Sequence, residues 1–297
     1  MRKLLHYIPP VYSVTILPSE HGSITANPMT GIGKQTVILS NTADNNYVFD
    51  KYIINGATLY DGNKFDFYKS NVTVTGIFKL NILNQLDFLY QAKDLTNDRI
   101  PNKAANSSFG DYMKAGTLVS HETGADTYLT NSNNGSNYLY KDLTTAQLDA
   151  MKAINSTYTF FIRVTQDGGD TGTGGIVSWR YTDNNNAYVY MIRSRSQQLE
   201  LHTTQGYLCG SNFSLTSPIV YKVVINGSNF YAKNLNNNAE YSLTYSTNRN
   251  MGTRMTTFFA GTSEYNLSKF YGLAGIARAT TADEDEVIKE ILTNQSA

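Results

Sequence analysis

At 297 residues the chain is long for one domain and suits either one large unit or two smaller ones. Apolar residues make up 41%, enough for a sizeable core, while charged residues are only 16% and 24 Lys plus Arg offset 24 Asp plus Glu. That zero net charge argues against a nucleic-acid binder, and no apolar run approaches the ~18 residues of a membrane span. The 22 Tyr, 22 Gly, 31 Asn and 56 Ser plus Thr favour strands and turns over long helices, so the expected class is all-β. A single cysteine, Cys209, excludes a disulfide framework or a multi-cysteine metal site, and a buried free thiol is expected there.

Residues 1–10 are short and basic and end in Pro9-Pro10, which cuts the apolar run before it could serve as a secretion signal. They read either as an anchor or as a frayed tail. Residues 11–80 then read as a small β unit. Tyr12, Val14 and Ile16 alternate with Ser13 and Thr15, the period-2 signature of a half-buried strand. Further strands are expected at Ser23–Ala26, Gln35–Ser40, Tyr47–Ile54 and Asn71–Phe78, with Asn55-Gly56 and Asp61-Gly62 supplying the φ > 0 positions of tight hairpin turns. The runs Tyr12-x-Val14-x-Ile16-x-Pro18, Gly22–Pro28, Tyr47-x-Phe49-x-x-Tyr52-x-Ile54-Asn55-Gly56 and Val72-Thr73-Val74-Thr75-x-x-Phe78 resemble one divergent internalin-type B-repeat. Tyr52 stands where that family usually has Trp. The resemblance implies a spacer or adhesion module without catalysis.

From residue 86 to 297 a larger β pattern follows, with no Pro- or Ser-rich linker before it, so the two units are expected to abut. Strands are expected at Tyr138–Tyr140, Tyr158–Thr165, Ile176–Tyr181, Tyr188–Arg193, Leu199–Thr203, Ile219–Ile225, Phe230–Leu235, Ala239–Tyr245, Met255–Ala260 and Phe270–Ala279. Many short strands at such spacing indicate a sandwich or jelly roll. Two helices are expected, at Asp142–Ile154 and at Thr281–Leu292, the second opening with Thr281 and Glu284 in capping-box register. Phe270–Arg278 followed by Thr281-x-x-Glu284-x-x-Val287, with Tyr221–Tyr231 and Tyr158–Arg163 upstream, resembles the laminin-G/concanavalin-A-like domains. What this implies is a jelly-roll sandwich with a short C-terminal helix. The architecture hosts lectins, hydrolases, toxins and spacers alike, so it does not fix a ligand.

A hydrolase of this fold would need paired carboxylates aimed into one cleft. The dense acidic cluster Asp283–Glu286 lies instead at a helix start, where carboxylates complement the macrodipole and are expected to stay solvated. The strands read as almost free of Asp and Glu, with Glu200 and Glu240 isolated. His6, His21, His121 and His202 lack metal-ligand spacing, and the glycines at 168–175 lack the following helix of a phosphate loop. Val177, Trp179 and Tyr181 share one strand face; such rings either fill the core, the favoured reading, or stack on sugars.

If the strands from Tyr158 to Thr203 are consecutive hairpins, the loop Gln166–Gly175 and the turn Ser194–Gln197 lie at one end of the sandwich. Arg195 then comes near Asp167 and Asp170, while Asp183 lies at the other end. Asp167, Asp170, Arg195, Trp179 and Tyr181 are therefore the expected ligand contacts, with Asp167 and Asp170 as a weak calcium candidate and no other cofactor.

The leading functional expectation is a non-enzymatic bacteriophage virion protein: a head decoration, head fibre or tail-associated subunit that adheres to bacterial or mucosal glycans. Its expected partners are other virion proteins, those glycans, or further copies of itself, without nucleic acid or a membrane span. A bacterial cell-surface or extracellular glycan-binding protein is the alternative, and a polysaccharide-active enzyme is the third reading.

Overall fold

A computed structural model describes residues 8–105, 109–124, 126–131, 137–152, 157–166, 174–180, 188–195, 198–203, 206–226, 229–244, 252–257 and 268–294, without the side chains of 152, 166, 174, 175, 180, 188–195, 198, 200–203, 206–213 and 268. It divides into two compact units, Met1–Asn81 and Ile82–Ala297.

In the first unit the strands are β1 (Val11–Ile16), β2 (Gly22–Asn27), β3 (Thr30–Ile32), β4 (Thr36–Ala43), β5 (Tyr47–Asn55), β6 (Lys64–Asp66) and β7 (Val72–Leu80). They form a four-stranded sheet, β3-β1-β7-β5, and a three-stranded sheet, β2-β4-β6. The alternation in β7 buries Val72, Val74 and Phe78. With Val14 and Tyr52 they meet Ile24, Val37, Leu39 and Phe65 of the second sheet in one core. Three-residue strands such as β3 and β6 are too short to show a period, which is why the sequence does not announce them. Asn55-Gly56 does not close a two-residue hairpin: Gly56, at φ +92°, ends β5, and the chain passes to β6 in the other sheet. Asp61-Gly62, at φ +50° and +77°, does make a tight turn, bridged by Tyr60 and Lys64.

The second unit contributes β8 (Phe88–Gln91), β9 (Arg99–Ile100), β10 (Tyr112–Ala115), β11 (Leu118–Thr123), β12 (Asp126–Asn131), β13 (Tyr138–Asp142), α1 (Thr145–Lys152), β14 (Thr157–Gln166), β15 (Gly174–Arg180), β16 (Tyr188–Arg195), β17 (Gln198–Thr203), β18 (Gly206–Ser214), β19 (Ile219–Asn226), β20 (Asn229–Asn234), β21 (Glu240–Thr244), β22 (Arg254–Thr257), β23 (Ser268–Ile276) and α2 (Ala282–Thr293). One sheet runs β18-β17-β16-β15-β22-β13-β10-β9; the other runs β11-β12-β23-β14-β19-β20-β21, with β8 also on β23. The expected all-β class with a short C-terminal helix is what the structure shows.

Between the sheets Ile100, Tyr112, Leu139, Val177, Trp179 and Met255 face Phe160, Ile162, Tyr221, Val223, Phe270 and Leu273. The other face of the second sheet is covered by α2, where Ile288 and Leu292 pack on Phe161, Val220, Ala274 and Ile276. β14 is thus buried on both faces, which accounts for its near-continuous apolar run. Buried tyrosines need partners for their hydroxyls. Tyr158 donates to Asp87 (2.8 Å), Tyr90 to the Gly110 carbonyl (2.9 Å) and Tyr221 to the Ser214 carbonyl, while Tyr112 shares a hydrogen bond with Thr257 (2.7 Å). Burial pushes all four hydroxyls above the ordinary range, so they stay protonated.

Three expectations are corrected. Strands β14 and β15 do not form a hairpin, because they belong to opposite sheets; β15, β16 and β17 do form consecutive antiparallel hairpins. The first helix runs Thr145–Lys152, since Asp142 is held in β13 by its pairing with Arg254. The strands also carry more acid than expected, with Asp126 and Asp142 both inside strands and both paired with arginines.

Candidate functional site

The acidic cluster is consumed by helix docking. Thr281 and Glu284 form a reciprocal capping box at the start of α2. Glu284 also takes both terminal nitrogens of Arg278 (2.7 and 2.9 Å), and Arg278 reaches Gln85. Lys222, rising from β19, meets Asp285 at 2.8 Å with both side chains 9% exposed; Thr280 donates to the other Asp285 oxygen at 2.6 Å. Glu284 and Asp285 are therefore buried and paired rather than solvated. Hydrogen bonds from Arg278 hold the Glu284 carboxyl below its ordinary range.

A row of aromatic and cationic groups crosses the same sheet beside α2. His121 stacks on Tyr128 at 4.9 Å, Tyr128 lies 5.4 Å from Tyr271, and the Arg163 guanidinium sits 4.7 Å above Tyr271. Arg163 is buried, bidentate to Asp126 (2.8 and 2.9 Å), and donates to the Leu292 carbonyl at the end of α2. The inner half of this row is therefore a structural anchor for the helix.

A second cluster of aromatic and charged groups, partly exposed, lies on the opposite sheet. Leu139 of β13 enters the core, so alternation turns its neighbour Tyr140 to the outer face. Tyr138 lies 5.9 Å from Tyr140, edge to face. Arg254 of β22 places its guanidinium 4.5 Å above the Tyr140 ring and grips Asp142 through Nε (2.5 Å) and Nη2 (2.8 Å). The Asp142 side chain is 55% exposed and Arg254 22%. Among the described residues Arg254 Nη1 has no hydrogen-bond partner. Deeper in the same face, Thr256 lies opposite Tyr140 and Ser178 opposite Thr256. Among the described residues the buried Ser178 Oγ has no hydrogen-bond partner. A flat aromatic ring, a fixed guanidinium and an exposed carboxylate on one rigid sheet can stack on a sugar ring and hydrogen-bond its hydroxyls.

The residues expected from sequence fare unevenly. Trp179 is fully buried, edge-on to Phe160 at 5.2 Å, so its ring belongs to the core and not to a sugar platform. Asp167, Asp170 and Tyr181 lie outside the described residues, and Arg195 is described in backbone only. Register pairs Gly174 with Ser194; residues 167–173 and 196–197 lie outside the described residues. Among the described residues no group of three acidic, His or Cys side chains is placed to hold a metal. The first unit carries a shallow groove of about 280 Å³ lined by Pro18, Ser19, Glu20, His21, Thr75 and Phe78. There Ser19 already bonds Thr75 and the Gly76 N–H.

Sequence reasoning missed Tyr140, Asp142 and Arg254. Asp142 looked like a helix start, and the pairing that joins it to Arg254, 112 positions away, leaves no local signal.

No protein-family model matches the chain, and no curated protein matches its sequence. Solved structures do match. Botulinum neurotoxin type C, whose cell entry depends on interaction with two ganglioside molecules, superposes with a TM-score of 0.52 at 12% identity, over 71% of this chain and 52% of its own. The binding domain of botulinum neurotoxin DC in complex with SialylT gives 0.51 at 14% identity, over 71% and 52%. Trypanosoma rangeli sialidase gives 0.49 at 9% identity, over 70% and 33%. The chain thus spans about half the length of the neurotoxin fragments and a third of the sialidase. At these identities the neurotoxin likenesses establish the fold alone: a two-sheet β-sandwich.

Proposed function

We propose that the protein is a non-enzymatic, glycan-binding adhesion protein of a bacteriophage particle, and that its sandwich unit contacts sugar through the outer face of β13 and β22. The observation that carries this reading is the Tyr140–Arg254–Asp142 arrangement, a half-buried ring and guanidinium beside an exposed carboxylate on a rigid sheet. Support comes from the two neurotoxin structures, whose own ligands are a ganglioside pair and SialylT. The particle assignment rests on the B-repeat-like residues of the first unit and on a charge-poor, Asn- and Tyr-rich composition.

The test is a microarray of bacterial and mucosal glycans probed with the whole chain and with Tyr140→Ala. Binding that falls about tenfold in the variant, with its far-UV spectrum unchanged, is expected. Absence of binding to every glycan, or reducing ends released from capsular polysaccharide, would overturn the reading. Copurification with intact phage particles is expected; recovery from host cell walls instead would move the protein to the bacterial surface.

A further inference from the structure

In the first unit the four-stranded sheet ends on β5, which is nine residues long; the other edge strands have three residues in β3 and β6 and six in β2. A long edge strand presents unpaired N–H and C=O groups to another extended chain. Gly76 turns its N–H away from β5, to the Ser19 hydroxyl, so Tyr52 opposite it turns its own backbone groups to the free edge, as does Ile54. At the other end the Asn81 N–H reaches the Asn46 carbonyl, which leaves Tyr47 and Phe49 facing the free edge. The Tyr47 N–H is held by the Asp44 carbonyl (3.1 Å). Among the described residues the edge-facing backbone groups of Phe49, Tyr52 and Ile54 have no partner.

The same strand carries a bulge. Phe49 pairs with Phe78 and Lys51 with Ile77, so Asp50 is the extra residue. On either side of it Tyr47, Phe49, Tyr52 and Ile54 turn to the core, while Val48, Asp50, Lys51 and Ile53 lie on the outer face. A strand without a matching bulge falls out of step with one half of β5, because a one-residue slip exchanges the faces. A second β5 laid antiparallel, with Asp50 opposite the second copy's Lys51, stays in step throughout. Tyr47 then meets Ile54, Val48 meets Ile53 and Phe49 meets Tyr52, inner residue against inner and outer against outer. The edge-facing backbone groups coincide in the same register, at Tyr47 with Ile54 and at Phe49 with Tyr52. Val48 and Ile53, each 44% exposed, cover one another on the outer face. Among the described residues Lys51 makes no ion pair, and Asp50 binds Lys79 through Oδ1 alone (3.1 Å), leaving Oδ2 for the second copy's Lys51.

We infer that two copies of the chain associate through β5, edge to edge and antiparallel, in a two-fold dimer that joins their four-stranded sheets. The bulge closes this edge to unrelated strands and admits its own copy.

Sedimentation velocity of the full chain over a concentration series tests the association, and a weight-average mass that rises to twice the monomer's is expected. Lys51→Glu sets acid against Asp50, and Asp50→Lys sets base against Lys51, so each variant alone should dimerise at least about tenfold more weakly. An equimolar mixture of the two restores opposite charges across both pairs and should recover the dimer, which a folding defect could not do. Register is read by crosslinking in a Cys209→Ser background. Val48 and Ile53 of the two copies form a pair without mutual hydrogen bonds, whose Cα atoms lie about 4.5 Å apart, within disulfide reach. Val48→Cys combined with Ile53→Cys should give a covalent dimer on oxidation, and either substitution alone should not. A chain that stays monomeric at every concentration would overturn the inference. So would a dimer indifferent to both charge variants, a mixture that fails to recover it, or equal crosslinking by the single-cysteine variants.

Discussion

Lys222 and Asp285 show how one residue pair can decide whether an element stays docked. Each charge is nearly sealed from water, and each has a second partner, Lys222 the Thr280 carbonyl (3.3 Å) and Asp285 the Thr280 hydroxyl. Removing one member leaves a buried, unpaired charge, so Lys222→Ala should cost about 3 kcal/mol in urea denaturation. Replacing both by apolar residues of similar size should cost far less, because the desolvation penalty goes with them; an equal loss for single and double variants would show that the pair contributes only through packing. Glu284 sets a pH dependence. Its folded pKa is depressed below the ordinary 4.5, chiefly by the hydrogen bonds from Arg278. The stabilisation is therefore complete above about pH 4.5 and lost as pH falls through the folded value. A midpoint that declines with acidification in the wild type, and less so in Glu284→Gln, is the expected result.

At the scale of elements, the packing of β23 against β8 depends on residues too small to obstruct it. A Cβ on Gly275 would overlap the Phe88 ring, and one on Gly272 would come within 2.9 Å of Leu292 and 3.0 Å of the Tyr90 carbonyl. Gly275→Ala should therefore lower stability by about 1–3 kcal/mol by forcing Phe88 out of place; a neutral substitution would mean that Phe88 relaxes freely. The glycines were visible in the sequence, as were the strong periods of β7, β14 and β19 and the capping box of α2. Strands β8 to β12 were not. β8 is four buried residues with no alternation, and β11 is mostly exposed and polar. Sheet membership was hidden as well, since the split between β14 and β15 is decided by partners as distant as β19 and β22. The candidate site suffered most from this. Asp142 and Arg254 become neighbours only through strand pairing, whereas the local aromatic pattern around Trp179 was legible, and the core, its favoured destination, does take that ring.

At the scale of the whole molecule, each unit closes its core with its own residues: Val14 to Phe78 in the first, Ile82 to Leu292 in the second. The chain's single tryptophan, Trp179, lies in the sandwich core against Phe160. Its emission therefore reports on the second unit, while Phe65, fully buried between the two small sheets, belongs to the first. Truncating a buried phenylalanine costs about 3–5 kcal/mol, so Phe65→Ala should strongly destabilise residues 11–80 in thermal or urea unfolding followed by far-UV dichroism. If each core is a separate cooperative unit, the Trp179-detected transition should stay where it is in Phe65→Ala and move in Lys222→Ala. The glycan affinity of the sandwich should likewise survive Phe65→Ala. A Trp179 transition that shifts with Phe65→Ala would show that the two cores unfold as one, and the first unit would then be a stabilising part of the binding module rather than a spacer beside it.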